Sequence, residues 1–244
     1  GGETWFSLGD GDLAIHVERT RRLLAGESLS QITEYFSRTL GISAHLLPMT
    51  DDSLRTIIET PEGAISFQDY FVRRQSKPAI ENIVFEGADK AVPSAAALDA
   101  LQLPDLRAVV ICPSNPFLSI DPILAVDGFR QALINCSAPV IAVSPIIGGQ
   151  AVKGPTSKIM GEISMPSTAR AVADYYGELL DGFVFDKADA AEASSASLPS
   201  QVTQTLMESF EDRKSLARDV LAFADELNAR LAKTYFASRR QRKG

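Results

Sequence analysis

The chain has 244 residues, 45% of them apolar and 23% charged, with a formal net charge of -7 and a mean hydropathy of +0.01. That size and balance suit a globular protein with a substantial core, arranged as one large or two small domains. The acidic balance excludes a surface built to follow a nucleic acid backbone, and no apolar run approaches the roughly 20 residues of a membrane span.

Cys112 and Cys136 are the only thiols. With neither CxxC spacing nor a nearby histidine, they indicate no zinc site and no disulfide framework, and a reducing cytoplasm is the expected setting. The basic run Arg239, Arg240, Arg242 and Lys243 reads as a solvated helix end.

The chain opens without methionine on an acidic, glycine-bearing turn, Leu8-Gly9-Asp10-Gly11-Asp12. Apolar residues then recur at helical spacing from Leu13 to Leu24, and Ser28 or Ser30 is placed to cap a second helix to about Leu40. After Gly41 the pattern shortens. Ala44–Leu47, Thr56–Glu59, Ala64–Phe67 and Asn82–Phe85 read as strands of a small α+β region, with Pro61-Glu62-Gly63 turning between two of them. From Ala95 the rhythm is helix, strand, loop, as in a parallel sheet with crossover helices. Its strands are read at Ala108–Cys112, Val140–Val143 and Gly182–Phe185, all apolar on both faces. Helices are expected near Leu98–Leu103, Asp127–Ile134, Thr168–Leu180 and Asp212–Lys233, and Ala188–Ser200 as a surface connection.

In an open parallel sheet ligands sit beyond the carboxyl ends of the strands, so the loops there carry the candidate chemistry. The first runs Pro113-Ser114-Asn115-Pro116 and onward to Pro122, where prolines fix the backbone around a hydroxyl and an amide suited to a nucleotide or sugar edge. The second is Ser144-Pro145-Ile146-Ile147-Gly148-Gly149, followed by Lys153 and Gly154. Paired glycines offer free amides and a close backbone approach, and the lysine adds the charge that phosphate oxygens attract. Both loops also read as ordinary turns, and the second is not a P-loop. Asp10 with Asp12, and Asp51 with Asp52, are carboxylate pairs that suit magnesium or, equally, helix caps and turns. His16 and His45 read as packed or solvated, and no Ser-His-Asp or Cys-His set is evident.

In order and wording, six stretches resemble the 2-phospho-L-lactate transferase family of coenzyme F-420 biosynthesis. They are Leu8 to His16, Pro48-Met49-Thr50-Asp51-Asp52, Phe67 to Val72, Pro113-Ser114-Asn115-Pro116, Pro122 to Val126 and Ser144 to Gly149. The resemblance spans nearly the whole chain. It implies a Rossmann-like α/β core, a parallel sheet flanked by helices, over residues 95–244, with a smaller α+β insert region over 1–94. It also implies a deazaflavin acceptor (Fo), a guanosine diphosphate-linked donor carrying a phosphorylated three-carbon acid, release of GMP, magnesium as cofactor and a homodimer. Carried over to this sequence, Ser114, Asn115 and Pro116 would contact the nucleotide, and Ser144, Pro145, Gly148, Gly149, Lys153 and Gly154 would cradle the diphosphate. Ser7, Gly9, Asp10 and Asp12 would lie near the deazaflavin, with Asp10 and Asp12 as metal ligands, while Met49, Thr50, Asp51 and Asp52 would orient acceptor or metal. The family's usual opening of strand, glycine-rich turn and helix does not precede Gly1, so an N-terminal part is expected to be missing and an apolar sheet edge to be exposed.

Three rivals are weighed against this, one of them a structural or dimerising remnant left by truncation, which cooperative melting of the chain on its own would test. A non-enzymatic, nucleotide-sugar-binding regulator of the gluconeogenesis-factor group would carry a glycine-serine loop where this chain has Pro113 to Pro116. A nicotinamide-dependent oxidoreductase needs GxGxxG between strand and helix, and Gly9-Asp10-Gly11 is not that fingerprint.

Overall fold

The structure, a computed structural model, describes residues 5–241, and side-chain surroundings as far as Arg230. The tail residues Arg242 and Lys243, and the side chains of Arg239 and Arg240, lie outside that range. The chain divides into two compact units, residues 1–100 with 122–129, and residues 101–121 with 130–244.

The first unit opens with α1 (Asp10–Leu24) and α2 (Leu29–Thr39). Ser28 caps α2 through a complete capping box with Gln31, which settles the choice between Ser28 and Ser30. The two helices are clasped by charge: Arg22 stacks 3.5 Å from the Tyr35 ring centroid while also pairing with Glu18 and Glu27. The antiparallel sheet β2-β1-β3 follows, made of β1 (Arg55–Thr60), β2 (Gly63–Ser66) and β3 (Asn82–Glu86). Ala44–Leu47 is not a strand. The segment is exposed and irregular, with no neighbouring strand to take its backbone groups, so its apolar wording alone does not make a β element. The unit's last full helix is α3 (Ala95–Ala100).

In the second unit, β4 (Val109–Ile111) is followed by α4 (Asp121–Leu124) and α5 (Phe129–Ile134), which overlap the boundary between the units. Next come β5 (Val140–Val143), a small hairpin of β6 (Ile146–Ile147) and β7 (Gln150–Ala151), α6 (Thr156–Glu162) and α7 (Ala169–Tyr176). The chain then runs through β8 (Gly182–Asp186), α8 (Ala190–Ala193), β9 (Ser200–Thr203) and α9 (Phe210–Gln241). β4, β5, β8 and β9 form one parallel sheet in that order. Burial explains the order. Every residue of β5 and β8 is buried, as central strands covered on both faces require, whereas β4 at one edge leaves Val110 partly exposed. β9 at the other edge reads Ser-Gln-Val-Thr; it begins where the expected surface connection Ala188–Ser200 ends, and its polar wording gave no strand signal.

One face of this sheet is closed by α9, which packs Leu216, Val220, Phe223, Ala224 and Leu227 against Ile141, Val143 and Val184. Gly182 makes the approach possible, since a Cβ there would stand 2.7 Å from Phe223 and 2.8 Å from Leu227. Gly182→Ala is therefore expected to lower stability by about 1–3 kcal/mol, the usual cost of overpacking. Thermal unfolding of the variant measures it.

Candidate functional site

A cleft of about 210 Å3 opens beyond the carboxyl ends of the parallel strands. Pro113, Ser114 and Asn115 come from the loop after β4, Ser144, Pro145 and Ile147 from the segment after β5, and Val152, Lys153 and Thr156 from the approach to α6. Thr205, Leu206 and Met207 follow β9. This is where an open α/β sheet binds its ligands.

Asn115 is fixed by its own loop. Its Oδ1 accepts from the backbone N–H groups of Phe117 and Leu118, both at 3.0 Å, capping the short helical turn that begins at Pro116. The far end of that turn is pinned where the Tyr175 hydroxyl donates to the Asp121 carboxylate at 2.5 Å, and the Phe117 ring meets the Tyr175 ring edge-on at 5.1 Å. Burial raises the Asp121 carboxyl above its ordinary range, against the lowering effects of Tyr175 and Arg130. With Oδ1 committed, Asn115 keeps a buried Nδ2 that has no hydrogen-bond partner among the described residues. A buried donor left unsatisfied costs about 1–3 kcal/mol, a cost that an acceptor on a ligand would remove.

Ser144 is spent locally. Its hydroxyl donates to the Ile146 carbonyl at 2.8 Å and accepts from the Ile146 N–H at 3.1 Å, starting the β6/β7 hairpin. Gly148 and Gly149 form the tip of that hairpin, with φ of 57° and 75°. Two consecutive left-handed residues make the mirror-image turn that two-residue hairpins favour, and glycine adopts it without strain. Of the two glycine amides expected to be free, that of Gly148 is engaged. The Gly148 N–H donates to both carboxylate oxygens of Asp189, at 3.0 and 3.1 Å, and neither Gly148 nor Gly149 lines the cleft. Gly154, with φ of 72°, is also off the wall, while Lys153 reaches it. Pro116 is buried behind Asn115.

Two acids that sequence reading passed over hold this geometry. Asp186, at the carboxyl end of β8, accepts from the Ala188 N–H at 2.9 Å, the Thr205 N–H at 2.8 Å and the Thr205 hydroxyl at 2.9 Å. Burial alone would raise its carboxyl, but these donors and the Leu206 N–H outweigh it and leave it below the ordinary value. Because the Thr205 proton is committed to Asp186, that hydroxyl keeps only acceptor capacity. Asp189 is the opposite case. Burial, with Glu192 and Asp186 nearby, raises its carboxyl despite the Gly148 hydrogen bond. Asp186 directly follows the apolar run Gly182–Phe185, so the rule that singled out the loops after β4 and β5 marks it too. Thr205–Met207 carried no such signal, because β9 itself is polar.

The other expected residues lie in the first unit. Gly9 is the N-cap of α1, and Asp10 and Asp12 occupy its first turn, where carboxylates complement the helix dipole. Ser7, Gly9, Asp10 and Asp12 are exposed, and Asp10 and Asp12 have no side-chain hydrogen bond among the described residues. Thr50 is buried and donates to the Val92 carbonyl at 2.6 Å. Asp51 accepts from the Ser30 N–H at 2.6 Å and Asp52 from the Val92 N–H at 2.7 Å. Met49, Thr50 and Asp52 line a separate cavity in this unit. Among the described residues no group of three or more His, Cys, Asp or Glu is arranged to hold a metal ion. Asp10 and Asp12 stand two residues apart on α1, a spacing that turns their side chains to different sides of the helix, so each offers a carboxylate by itself.

The family description 2-phospho-L-lactate transferase CofD matches residues 3–223, nearly the whole chain. The chain belongs to this family. It is therefore an enzyme of the transferase class. Among its relatives, a phosphoenolpyruvate transferase of Kitasatospora aureofaciens is 39% identical over 234 residues, covering 93% of this chain and 72% of the relative. A 2-phospho-L-lactate transferase of Methanosarcina acetivorans is 37% identical over 226 residues, covering 91% and 72%. The crystal structure of a member of the UPF0052 family from Bacillus halodurans aligns with a TM-score of 0.59 at 13% identity, covering 89% of this chain and 75% of that one. That likeness concerns the fold, and the CofD-type architecture it supports is a parallel α/β sheet with flanking helices. No helix among the described residues is long and apolar enough to cross a membrane.

Proposed function

We propose that the enzyme moves a phosphorylated three-carbon acid from a guanosine diphosphate-linked donor to the terminal ribityl hydroxyl of a deazaflavin, releasing GMP, in coenzyme F-420 biosynthesis. The observation that carries the reading is the cleft at the strands' carboxyl ends, walled in part by Asn115, whose buried Nδ2 is unsatisfied. The names of the relatives supply the transferred group, phosphoenolpyruvate in one case and phospholactate in the other.

In this reading the ribityl oxygen forms a new P–O bond to the phosphorus that carries the acid. The P–O bond to the GMP phosphate breaks, GMP keeps the electron pair, and the hydroxyl proton passes to solvent or a carboxylate. Such chemistry asks the protein mainly for alignment and for stabilisation of negative charge. Asn115 Nδ2 donates to the nucleotide, Thr205 offers an acceptor, and Lys153 supplies the cation nearest the diphosphate. Ser114 adds a hydroxyl, and the backbone around Pro145 shapes the floor. Magnesium is the proposed cofactor; Asp10 and Asp12 of α1 would each offer it a carboxylate, and it would supply positive charge to a phosphate. The reading places a homodimer in the reducing cytoplasm, in keeping with the free thiols of Cys112 and Cys136.

The test is to mix enzyme, magnesium, a guanylyl-diphospho donor and the deazaflavin, and to follow GMP by chromatography. Acceptor-dependent GMP supports the reading, and donor binding without turnover supports the regulator instead. Lys153→Gln is expected to weaken GDP about tenfold, a loss of about 1.4 kcal/mol, and to flatten the salt dependence of binding, both read by calorimetry.

A further inference from the structure

The cavity of about 450 Å3 in the first unit is lined by Arg19, Leu29, Pro48, Met49, Thr50, Asp52, Ser53, Leu54 and Arg55. Its charges are unusual in their pairing. On α1, Arg21 and Arg22 both pair with Glu18, and Arg22 also with Glu27. Arg19 has no acid three or four residues away on the helix, makes no ion pair or hydrogen bond among the described residues and buries its Nε without a partner. Arg55, at the start of β1, is exposed and makes no ion pair among the described residues, although Glu86 stands opposite it in the ladder. The one acid on the wall, Asp52, already accepts from the Val92 N–H. Two guanidinium groups against one carboxylate leave the cavity net positive, and a buried, unsatisfied guanidinium nitrogen is costly without an acceptor.

We infer that this cavity is a binding site for an oxyanion, a phosphate or carboxylate group, on a small molecule whose apolar body rests on Leu29, Met49 and Leu54. Guanidinium groups match the planar oxygen pairs of such anions. Thr50 contributes shape and no donor, because its hydroxyl proton goes to the Val92 carbonyl. Ser53 brings a further hydroxyl. The site is built within the first unit and does not depend on the nucleotide reading of the second.

The experiment is calorimetric titration of the full chain with inorganic phosphate and, separately, with acetate, at ionic strength held constant with chloride. Wild type, Arg19→Met, Arg55→Met and Lys153→Gln are compared. With the nucleotide cleft filled by saturating GDP, millimolar binding is expected in wild type, weakened about tenfold or more by either arginine substitution. Preference for one anion identifies the group the site takes. Arg19→Lys keeps the charge but loses the Nε donor and is expected to bind with intermediate affinity, which covers the case of a poorly folding Arg19→Met. Absence of binding in wild type would overturn the inference. So would binding insensitive to both arginines, and loss only in Lys153→Gln would assign the anion to the other unit. GDP binding of the arginine variants, measured alongside, reports on the nucleotide cleft independently.

Discussion

Asn115→Asp is expected to weaken GDP binding by about 100-fold, close to 2.8 kcal/mol, while the free protein keeps its melting temperature within a few degrees. The reasoning separates the two ends of one side chain. Aspartate retains the oxygen that accepts from Phe117 and Leu118, and Asp and Asn are near-equal as caps, so the turn from Pro116 survives. What changes is Nδ2, the buried donor without a partner. Its replacement by a carboxylate oxygen removes a hydrogen bond to the ligand and places negative charge against a diphosphate. Asn115→Ala is the control, since it removes cap and donor together and is expected to lose about 1 kcal/mol of stability as well. Calorimetric GDP titration and thermal unfolding of both variants check the two effects. Equal affinity in wild type and Asn115→Asp would take Asn115 out of the nucleotide site.

Asp186→Ala is expected to destabilise the protein by about 3 kcal/mol, an amount typical of losing hydrogen bonds to a buried charged group. Three donors, Ala188 N–H, Thr205 N–H and the Thr205 hydroxyl, would lose their shared acceptor, and the wall formed by Thr205, Leu206 and Met207 would lose its anchor. The pH dependence has a definite sign. The folded carboxyl lies below its ordinary value of 3.8, so its contribution is complete above that pH and is lost as pH falls through the lower folded value. Wild type and Asp186→Ala should thus differ most near neutrality and converge in acid, as followed by denaturant unfolding across pH. Asp121 and Asp189 act in the opposite sense. Their folded values are raised, so the stability they contribute is present at low pH and declines as pH rises past 3.8 through those raised values.

The sheet was legible because its strands are buried on both faces. Val140–Val143 and Gly182–Phe185 admit no polar residue, and that pattern alone identifies covered parallel strands. β9 escaped for the converse reason, since an edge strand of Ser-Gln-Val-Thr is held by pairing with β8 and not by apolar wording. Ala44–Leu47 misled in the same way, being apolar without a strand to pair with. In the site, Ser114, Asn115, Ser144, Pro145 and Lys153 were visible as loop residues after strands, and the cleft gathers them. The glycine pair was visible but its use was not, because whether an amide is free depends on Asp189, 41 residues away. Helical spacing does bear on Arg19: three and four residues to either side stand Ile15, His16, Arg22 and Leu23, none of them an acid.

The most direct test of the cleft as the nucleotide site is amide hydrogen exchange of the whole chain with and without saturating GDP and magnesium. Protection is expected in three segments distant in sequence, residues 112–118, 144–156 and 204–208, with 186–189 slowed behind them. GDP that binds but protects other segments, leaving these three unchanged, would contradict it.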